Sequence, residues 1–420
     1  MTDHLLMSDT FGKTLEGILR LGLIDDSYPL NHACVQRPNG FYAINTVLGD
    51  LQSIFEKYDY DETMMPSVST GLAYDKIPAE FKGEIDTHVY QITHTGLHPL
   101  EEPWYMQGRA DLQMAILEAQ NARSYRDLPI KRIMRGFRYV INDAVEDISL
   151  LTDTEQSAID AVGIFATKAE YEQELNSLIV SIKKLLSERF LLSTIDVKQG
   201  HSIIFYSILP NNHLLEVARF RLFDQILSRA IQFNVLSSSN KAEPAFIFSF
   251  QASARLFVAI LAAHSSQTTV VLPKQLIRSH VIGFNKNPKV LAINDQNLRV
   301  ELVRFPYTPE RVQKYLAEGS VFCVDAVEDG FNVYTKDGIE KVTDLTKYIN
   351  DKLNQREIEL AQKEKDAFNA RKGVAIKLIP ENEKPADGNE IIGIPIKDEK
   401  PLEIIDSKEQ LVAKTFLALA

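Results

Sequence analysis

Between Arg37 and Pro66 an amphipathic helix passes into an extended stretch with almost no loop between them. From Ile44 the apolar residues fall at Val47, Leu48, Leu51, Ile54 and Phe55, which is helical spacing, and the helix is expected to end near Lys57. Pro38-Asn39-Gly40 reads as a turn before it, and Tyr58 to Met65 as a strand running into Pro66.

The rest of the chain extends this pattern. Strands are expected at Thr87–Thr93, Ile130–Tyr139, 202–209 and Ala245–Phe250, with helices over about Asp111–Arg123 and Ala252–His264. Thr167 and Glu170 form a capping-box pattern before a helix faced by Leu175, Leu178, Ile179, Ile182 and Leu186. After Ser265 the character changes. Val270–Pro273, Ser279–Phe284, Lys289–Ile293, Arg299–Arg304 and Ser320–Val324 read as short strands alternating with helical stretches. The run Leu353–Lys372 reads as a charged, solvent-bridging helix, followed by short β-like pieces and a last helix near Lys408–Leu419. The expected division is 1–268, 269–355 and 356–420, because 420 residues exceed one core.

Composition narrows the function classes. A net charge of -11 argues against general nucleic-acid binding and leaves room only for a local basic face. Cys34 and Cys323, the two cysteines, suggest neither a metal pair nor a disulfide framework, so a reduced, cytoplasmic setting is expected. The start MTDHLLMSD resembles neither a signal nor a transit peptide, and no apolar run approaches the roughly 18–20 residues of a membrane span. His94 and His98 in HTGLH read as loop histidines, since Gly96 breaks any helix that would align them on a metal.

Several words in order carry a family resemblance. RPNGFYAINTVLGDLQSIFEKYDYDETMMP at Arg37–Pro66, SYRDLP at Ser124–Pro129, Phe137-Arg138, the stretch Glu216–Ile231, and FSFQASARLFVAILAAH at Phe248–His264 follow one another over roughly residues 10–355. Together they resemble the class II (subclass IIa) aminoacyl-tRNA synthetases of the prolyl type. The resemblance implies an antiparallel sheet flanked by helices, then an α/β anticodon-binding-like domain. It also implies a homodimer built on the first signature, with Leu48, Leu51, Phe55 and Pro66 at the interface. Between 140 and 245 there is no room for the large editing insertion of some bacterial prolyl enzymes.

The resemblance also implies where an ATP and amino-acid site lies, and this chain departs from it there. The family's Thr-Ser-Glu-Glu word falls on Arg109-Ala110-Asp111-Leu112, so only Asp111 keeps acid character and Arg109 adds a positive charge. Arg138 stands in the second signature, but its acidic position is Val140, Ile141–Val145 replace the basic loop, and the adenine-stacking position falls near Ile148. Arg255 stands in the third signature, whose glycines are replaced by Phe250 and Ala252, so a phenyl ring is expected in the adenine site. A charge-assisted hydrogen bond contributes about 1.5–3 kcal/mol, so three missing contacts remove about 5–9 kcal/mol. Millimolar-to-micromolar binding is worth only about 4–8 kcal/mol.

Each residue keeps a plainer reading beside this one. Arg138 and Arg255 read either as paired structural arginines or as retained ligands of an anion, and Asp111 either as a helix-start acid or as a ligand for an amine. Lys274, Arg278, Lys286, Lys289, Arg299 and Arg304, with Arg311 and Lys314, form either a solvated surface or a nucleic-acid-binding face for tRNA or another RNA. Two functions follow. One is a non-catalytic, homodimeric accessory, regulatory or RNA-binding paralogue that uses no cofactor and engages RNA or a protein partner. The other is an active ligase with a remodelled pocket, which alone needs ATP and magnesium.

Overall fold

The computed structural model of the chain describes residues 10–70, 78, 81, 90–108, 110–141, 149–237, 240–291, 298–380, 384–385, 389–396 and 409–417. Helices α1 (Thr10–Leu19), α2 (Pro38–Glu56), α3 (Ala110–Asn121), α4 (Lys168–Lys184) and α5 (Arg255–His264) pack around one large sheet. Its strands are β1 (Asp61–Glu62), β2 (Ile130–Tyr139), β3 (Glu155–Phe165), β4 (Ile195–Gln199), β5 (Ser202–Ile208), β6 (Leu214–Asp224) and β7 (Phe246–Ser253). A second, five-stranded sheet holds β8 (Val281–Gly283), β9 (Val300–Leu302), β10 (Phe322–Val327), β11 (Gly330–Thr335) and β12 (Gly338–Val342), with α6 (Pro309–Ala317) before β10. Helix α7 (Leu345–Ala375) then leads to β13 (Ile376–Pro380), β14 (Glu390–Pro395), β15 (Glu409–Ala413) and β16 (Thr415–Leu417).

These last strands return to the large sheet, whose order is β13-β15-β14-β4-β5-β6-β7-β3-β2-β1 with β16 beside β6. Its pairings are antiparallel except β1 with β2 and β16 with β6. In the second sheet β8 runs parallel to both β9 and β10, and β10-β11-β12 is an antiparallel meander. The expected α+β fold, an antiparallel-rich sheet with flanking helices followed by an α/β unit, is the one observed. No described helix is long and apolar enough to cross a membrane.

Several elements depart from expectation for identifiable reasons. Pro38-Asn39-Gly40 is the first turn of α2, because Pro is favoured where the helix has no N–H to lose. Gly40 is needed there: a Cβ would sit 2.2 Å from the Leu23 carbonyl oxygen. The strand expected over Tyr58–Met65 shrinks to Asp61–Glu62. The N–H groups of Lys57, Tyr58, Asp59 and Tyr60 all bond back to carbonyls at the end of α2, and Asp59 adopts φ 63°.

The strand expected at Thr87–Thr93 lies partly outside the described residues; Gln91–Thr95 pairs with His98–Met106 in a hairpin that turns at Gly96 (φ 59°) and carries His94 and His98. Val270–Leu272 is a linker whose Val271 N–H bonds to the Ser265 hydroxyl rather than to a ladder. In place of a strand at Lys289–Ile293, Pro288–Leu291 is a short helix with the Asn287 side chain accepting from the Lys289 N–H.

The capping box at Thr167 and Glu170 is formed, and Leu175, Leu178, Ile179, Ile182 and Leu186 are all buried. The charged helix begins earlier than Leu353, at a cap made by Asp344, and is not merely solvent-bridging. Leu345, Ile349 and Leu353 enter the core of the second sheet, and Phe368 enters a core against the large sheet. Glu364 accepts from the Ser193 N–H and hydroxyl at 3.1 and 2.6 Å. The helix expected near Lys408–Leu419 is instead the pair of strands β15 and β16. Short apolar runs do not distinguish helix from strand by period, and pairing with β13 and β14 decides it.

A buried polar face and a divided basic surface

Side chains alternate across the large sheet, so its two faces differ. Ile159 and Ala161 of β3, Phe220 and Leu222 of β6, and Phe248, Phe250 and Ala252 of β7 point into one apolar core with α2, α4 and α5. Phe250 lies 4.9 Å, centroid to centroid, from both Phe55 and Phe220. The phenyl ring expected in an adenine site therefore belongs to the opposite, helix-covered face.

On the other face, residues one step along the same strands form a polar network. Arg138 Nη2 donates to Asp160 Oδ1 at 3.1 Å, and Gln251 Nε2 donates to the same oxygen at 2.9 Å. Arg221 Nη1 donates to Gln251 Oε1 at 3.0 Å. Arg219 grips Glu216 with two parallel hydrogen bonds of 2.6 and 2.7 Å. Arg255, at the first turn of α5, donates to the Leu151 carbonyl at 3.3 Å. Burial is the main cause that pulls the Arg255 guanidinium down to about 10, with Arg138 and Arg219 repelling it and Glu216 opposing the shift.

Arg138 is 2% exposed and Arg255 3%, and Arg221 and Glu216 are fully buried. Asp111 is fully buried in the first turn of α3, a helix whose Leu112 and Ala115 pack with Val162 and Ile164 on this same side. Arg109, Ile148 and residues 142–145 of the Ile141–Val145 loop stretch lie outside the described residues. Asp160, Glu216, Arg219, Arg221 and Gln251 went unmarked in the sequence reading. Their signal was the motif Glu216-Val-Ala-Arg219-Phe-Arg221: charges inside a long apolar run, with the two arginines spaced to share a strand face.

The residues assigned to a dimer face divide. Leu51 and Phe55 are fully buried, and Leu48 nearly so, inside the chain's own core; Pro66 is exposed. The exposed apolar residues in and beside this segment are instead Val35, Phe41, Met64 and Phe137, at 48%, 59%, 72% and 52% exposure. Phe41 and Phe137 line one groove of about 150 Å³ together with Asn45 and Arg135.

The basic stretch also divides. Arg278 pairs with Glu301 at 3.0 Å, and Lys274 Nζ donates to Asn354 Oδ1 at 3.3 Å. Arg299 donates to the carbonyls of Ile277 and Lys274 and lies over the Tyr42 ring of α2 at 5.3 Å. Lys274 and Arg299 thus tie the second sheet to α7 and α2, while the Arg278 pair is internal to that sheet. At the other end of β8 and β9, the Asn285 N–H bonds to the Phe305 carbonyl and the Lys286 N–H to the Val303 carbonyl, bringing Lys286, Arg304 and Phe305 side by side. Lys286, Lys289 and Arg304 are exposed, and Phe305 is 55% exposed with the Arg311 guanidinium 5.0 Å from its ring centre.

This arrangement, a long helix laid on an antiparallel sheet with a buried polar face and an α/β unit beyond, is the class II aminoacyl-tRNA synthetase fold. The chain is prolyl-tRNA synthetase-like within it. Its fold superposes on Giardia lamblia prolyl-tRNA synthetase in complex with prolyl-adenylate with a TM-score of 0.81 at 18% identity, covering 97% of this chain and 98% of that one. The prolyl-tRNA synthetase of Cryptosporidium parvum, complexed with halofuginone and AMPPNP, gives 0.80 at 15% identity over 99% of each chain. In sequence the chain is 23% identical over 295 residues to the proline–tRNA ligase of Methanoculleus marisnigri, covering 67% of this chain and 60% of that relative. For the ligase of Pyrococcus abyssi it is 21% over 297 residues, again 67% and 60%. The match thus spans about three-fifths of these curated relatives. No protein-family model matches the chain.

Proposed function

We propose that this chain is a non-catalytic prolyl-tRNA synthetase-like paralogue that acts as a homodimeric, RNA-binding accessory subunit and uses neither ATP nor magnesium. One observation carries the reading. The two arginines that the resemblance assigns to ATP, Arg138 and Arg255, are buried and bonded to the chain's own Asp160 carboxylate and Leu151 carbonyl. A phosphate seeking Arg138 must displace a buried ion pair, and removing one partner of such a pair costs about 3–5 kcal/mol. Millimolar-to-micromolar binding supplies only about 4–8 kcal/mol in total.

Support for the dimer comes from the exposed Val35, Phe41 and Phe137, which lie in and beside a segment resembling the family's dimer signature. Support for RNA comes from the exposed end of the second sheet, where Lys286, Arg304 and the Arg311-backed Phe305 ring combine cations with a stacking surface.

The deciding experiment is ATP–pyrophosphate exchange across the common amino acids, with light scattering on the same preparation. The expected result is no exchange above the blank and a dimer that Phe41→Asp with Phe137→Asp converts to monomer. Exchange with any amino acid supports the ligase reading instead.

A further inference from the structure

The large sheet ends at β1, where two opposite charges stand among exposed apolar side chains. Glu62 of β1 pairs in register with Ile133 of β2, whose side chain lies in the core beneath α2, so Glu62 faces the α2 side of the sheet. Arg135 and Phe137 follow on that side at two-residue steps along β2. Met65 packs against the core of the opposite side, which turns Met64 toward this one. Phe41 and Asn45 of α2 share a groove with Arg135 and Phe137 and complete the patch.

Among the described residues neither charge meets its opposite. Arg135 Nη1 reaches only the backbone and side-chain oxygens of Asn45, both at 3.4 Å, and its Nε is buried without an acceptor. The guanidinium lies against the bare turn of α2 at Gly49, where a Cβ would stand 3.2 Å from Nη1. Glu62 is exposed, and its carboxylate makes no hydrogen bond or ion pair there. The neighbouring cations are taken: Arg132 pairs with Asp61 and Glu118, and Lys131 with Glu174. Glu62 and Arg135 are offset by about 7 Å along the sheet, two strand residues, and do not pair within the chain.

A patch with one free cation, one free carboxylate and apolar residues around them is complementary to itself. A two-fold axis sets residue i against j and j against i, so both charges are answered at once. We propose that a second copy of the chain completes this site: the Glu62 carboxylate of each subunit meets the Arg135 guanidinium of the other in two reciprocal ion pairs, while Phe41, Met64 and Phe137 close the apolar contact between them. Resting on the proposed homodimer, these pairs also fix how the two copies are oriented, because a planar guanidinium and a carboxylate match in few geometries.

The test is charge reversal followed by mixing, read by sedimentation equilibrium of the full chain at low salt. Arg135→Glu and Glu62→Arg should each weaken self-association at least about tenfold, since like charges then face each other twice. Mixing the two variants should restore a dimer within about threefold of the native affinity, because opposite charges then meet at both positions. Rescue by mixing requires a contact between chains. A pair inside one chain does not give it, since in each variant both positions carry the same sign. Lys365→Glu, an exposed change on α7, should leave association unchanged. Thermal melts confirm that each variant folds. A native chain that stays monomeric overturns the dimer and this contact together. A native dimer that neither reversal weakens, or that mixing does not restore, leaves the dimer standing and overturns the ion pairs.

Discussion

The arginines of the large sheet and the cations at the far end of the second sheet carry the same charge in opposite circumstances. Arg138, Arg219 and Arg221 are each hydrogen-bonded to a protein carboxylate or amide and shielded from water. Lys286, Lys289 and Arg304 stand in solvent. A buried, paired charge holds the chain together and is expensive to redirect toward a ligand. An exposed charge contributes little to folding and stays available to one. The contrast sets the paired, buried charges of the first sheet against the exposed charges of the second, and it can be broken by measurement.

The largest effect is expected from Arg138→Met. It leaves the buried Asp160 carboxylate without its cation, and stability to urea should fall by about 3–5 kcal/mol. Adding Asp160→Asn should recover much of that loss, since Asn keeps an acceptor for Gln251 and needs no cation. A loss below about 1 kcal/mol for the single variant would show that Arg138 is not held as a structural ion and reopen its role as an anion ligand.

Acid sharpens the same contrast. His264, 4% exposed at the end of α5, is pulled down to about 4 by burial first and by the nearby Arg356 and Lys363 charges, with bonds to the Phe190 and Leu191 carbonyls opposing. His280, at the knitted end of the second sheet, is pulled down to about 4 by burial and by Arg299. Both stay neutral in the fold while the unfolded chain takes up protons below about 6.5. The stability they support is therefore intact above pH 6.5 and lost as pH falls toward 4, by roughly 3 kcal/mol for each. Urea midpoints at pH 7.5, 5.5 and 4.5 measure this, and His264→Leu should flatten part of the slope. A flat profile would contradict the burial of both rings.

What the sequence disclosed follows the same division. Helix faces with clean spacing, such as Leu175 through Leu186 behind the Thr167 cap, were readable because period and cap agree. Strands β3 and β6 were not, because both faces are buried and Asp160, Glu216, Arg219 and Arg221 interrupt the apolar run without an alternation to follow. Phe250 is expected near a nucleotide because the resemblance sets it on a glycine position of the third signature, and the sequence does not reveal which face a strand residue takes. A one-residue change of parity exchanges core for site. The basic stretch looked like one patch because parallel strands hide their geometry in the sequence. Arg278 and Arg299 precede β8 and β9 and meet at one end, while Lys286 and Arg304 follow them and meet at the other, about 10 Å away across three-residue strands.

The smallest effect on folding, and the most informative about function, is expected from Lys286→Gln with Arg304→Gln. Both side chains are exposed and take part in no ion pair among the described residues, so stability should change by less than about 0.5 kcal/mol. RNA binding should respond quite differently. Each phosphate contact removed lowers the slope of log affinity against log salt by about 0.7–0.9, so the double variant should lose close to two contacts' worth of salt dependence in filter retention of tRNA. Phe305→Ala should weaken retention by about 1–3 kcal/mol if a base stacks on the ring, while leaving the salt slope unchanged. Arg299→Gln provides the opposite pattern. It removes the bonds to the Ile277 and Lys274 carbonyls and the contact with Tyr42, so it should loosen the junction while leaving the salt slope intact. If Arg299→Gln lowers the salt slope as much as Lys286→Gln with Arg304→Gln does, the two ends of the second sheet act as one RNA surface and the division between them fails.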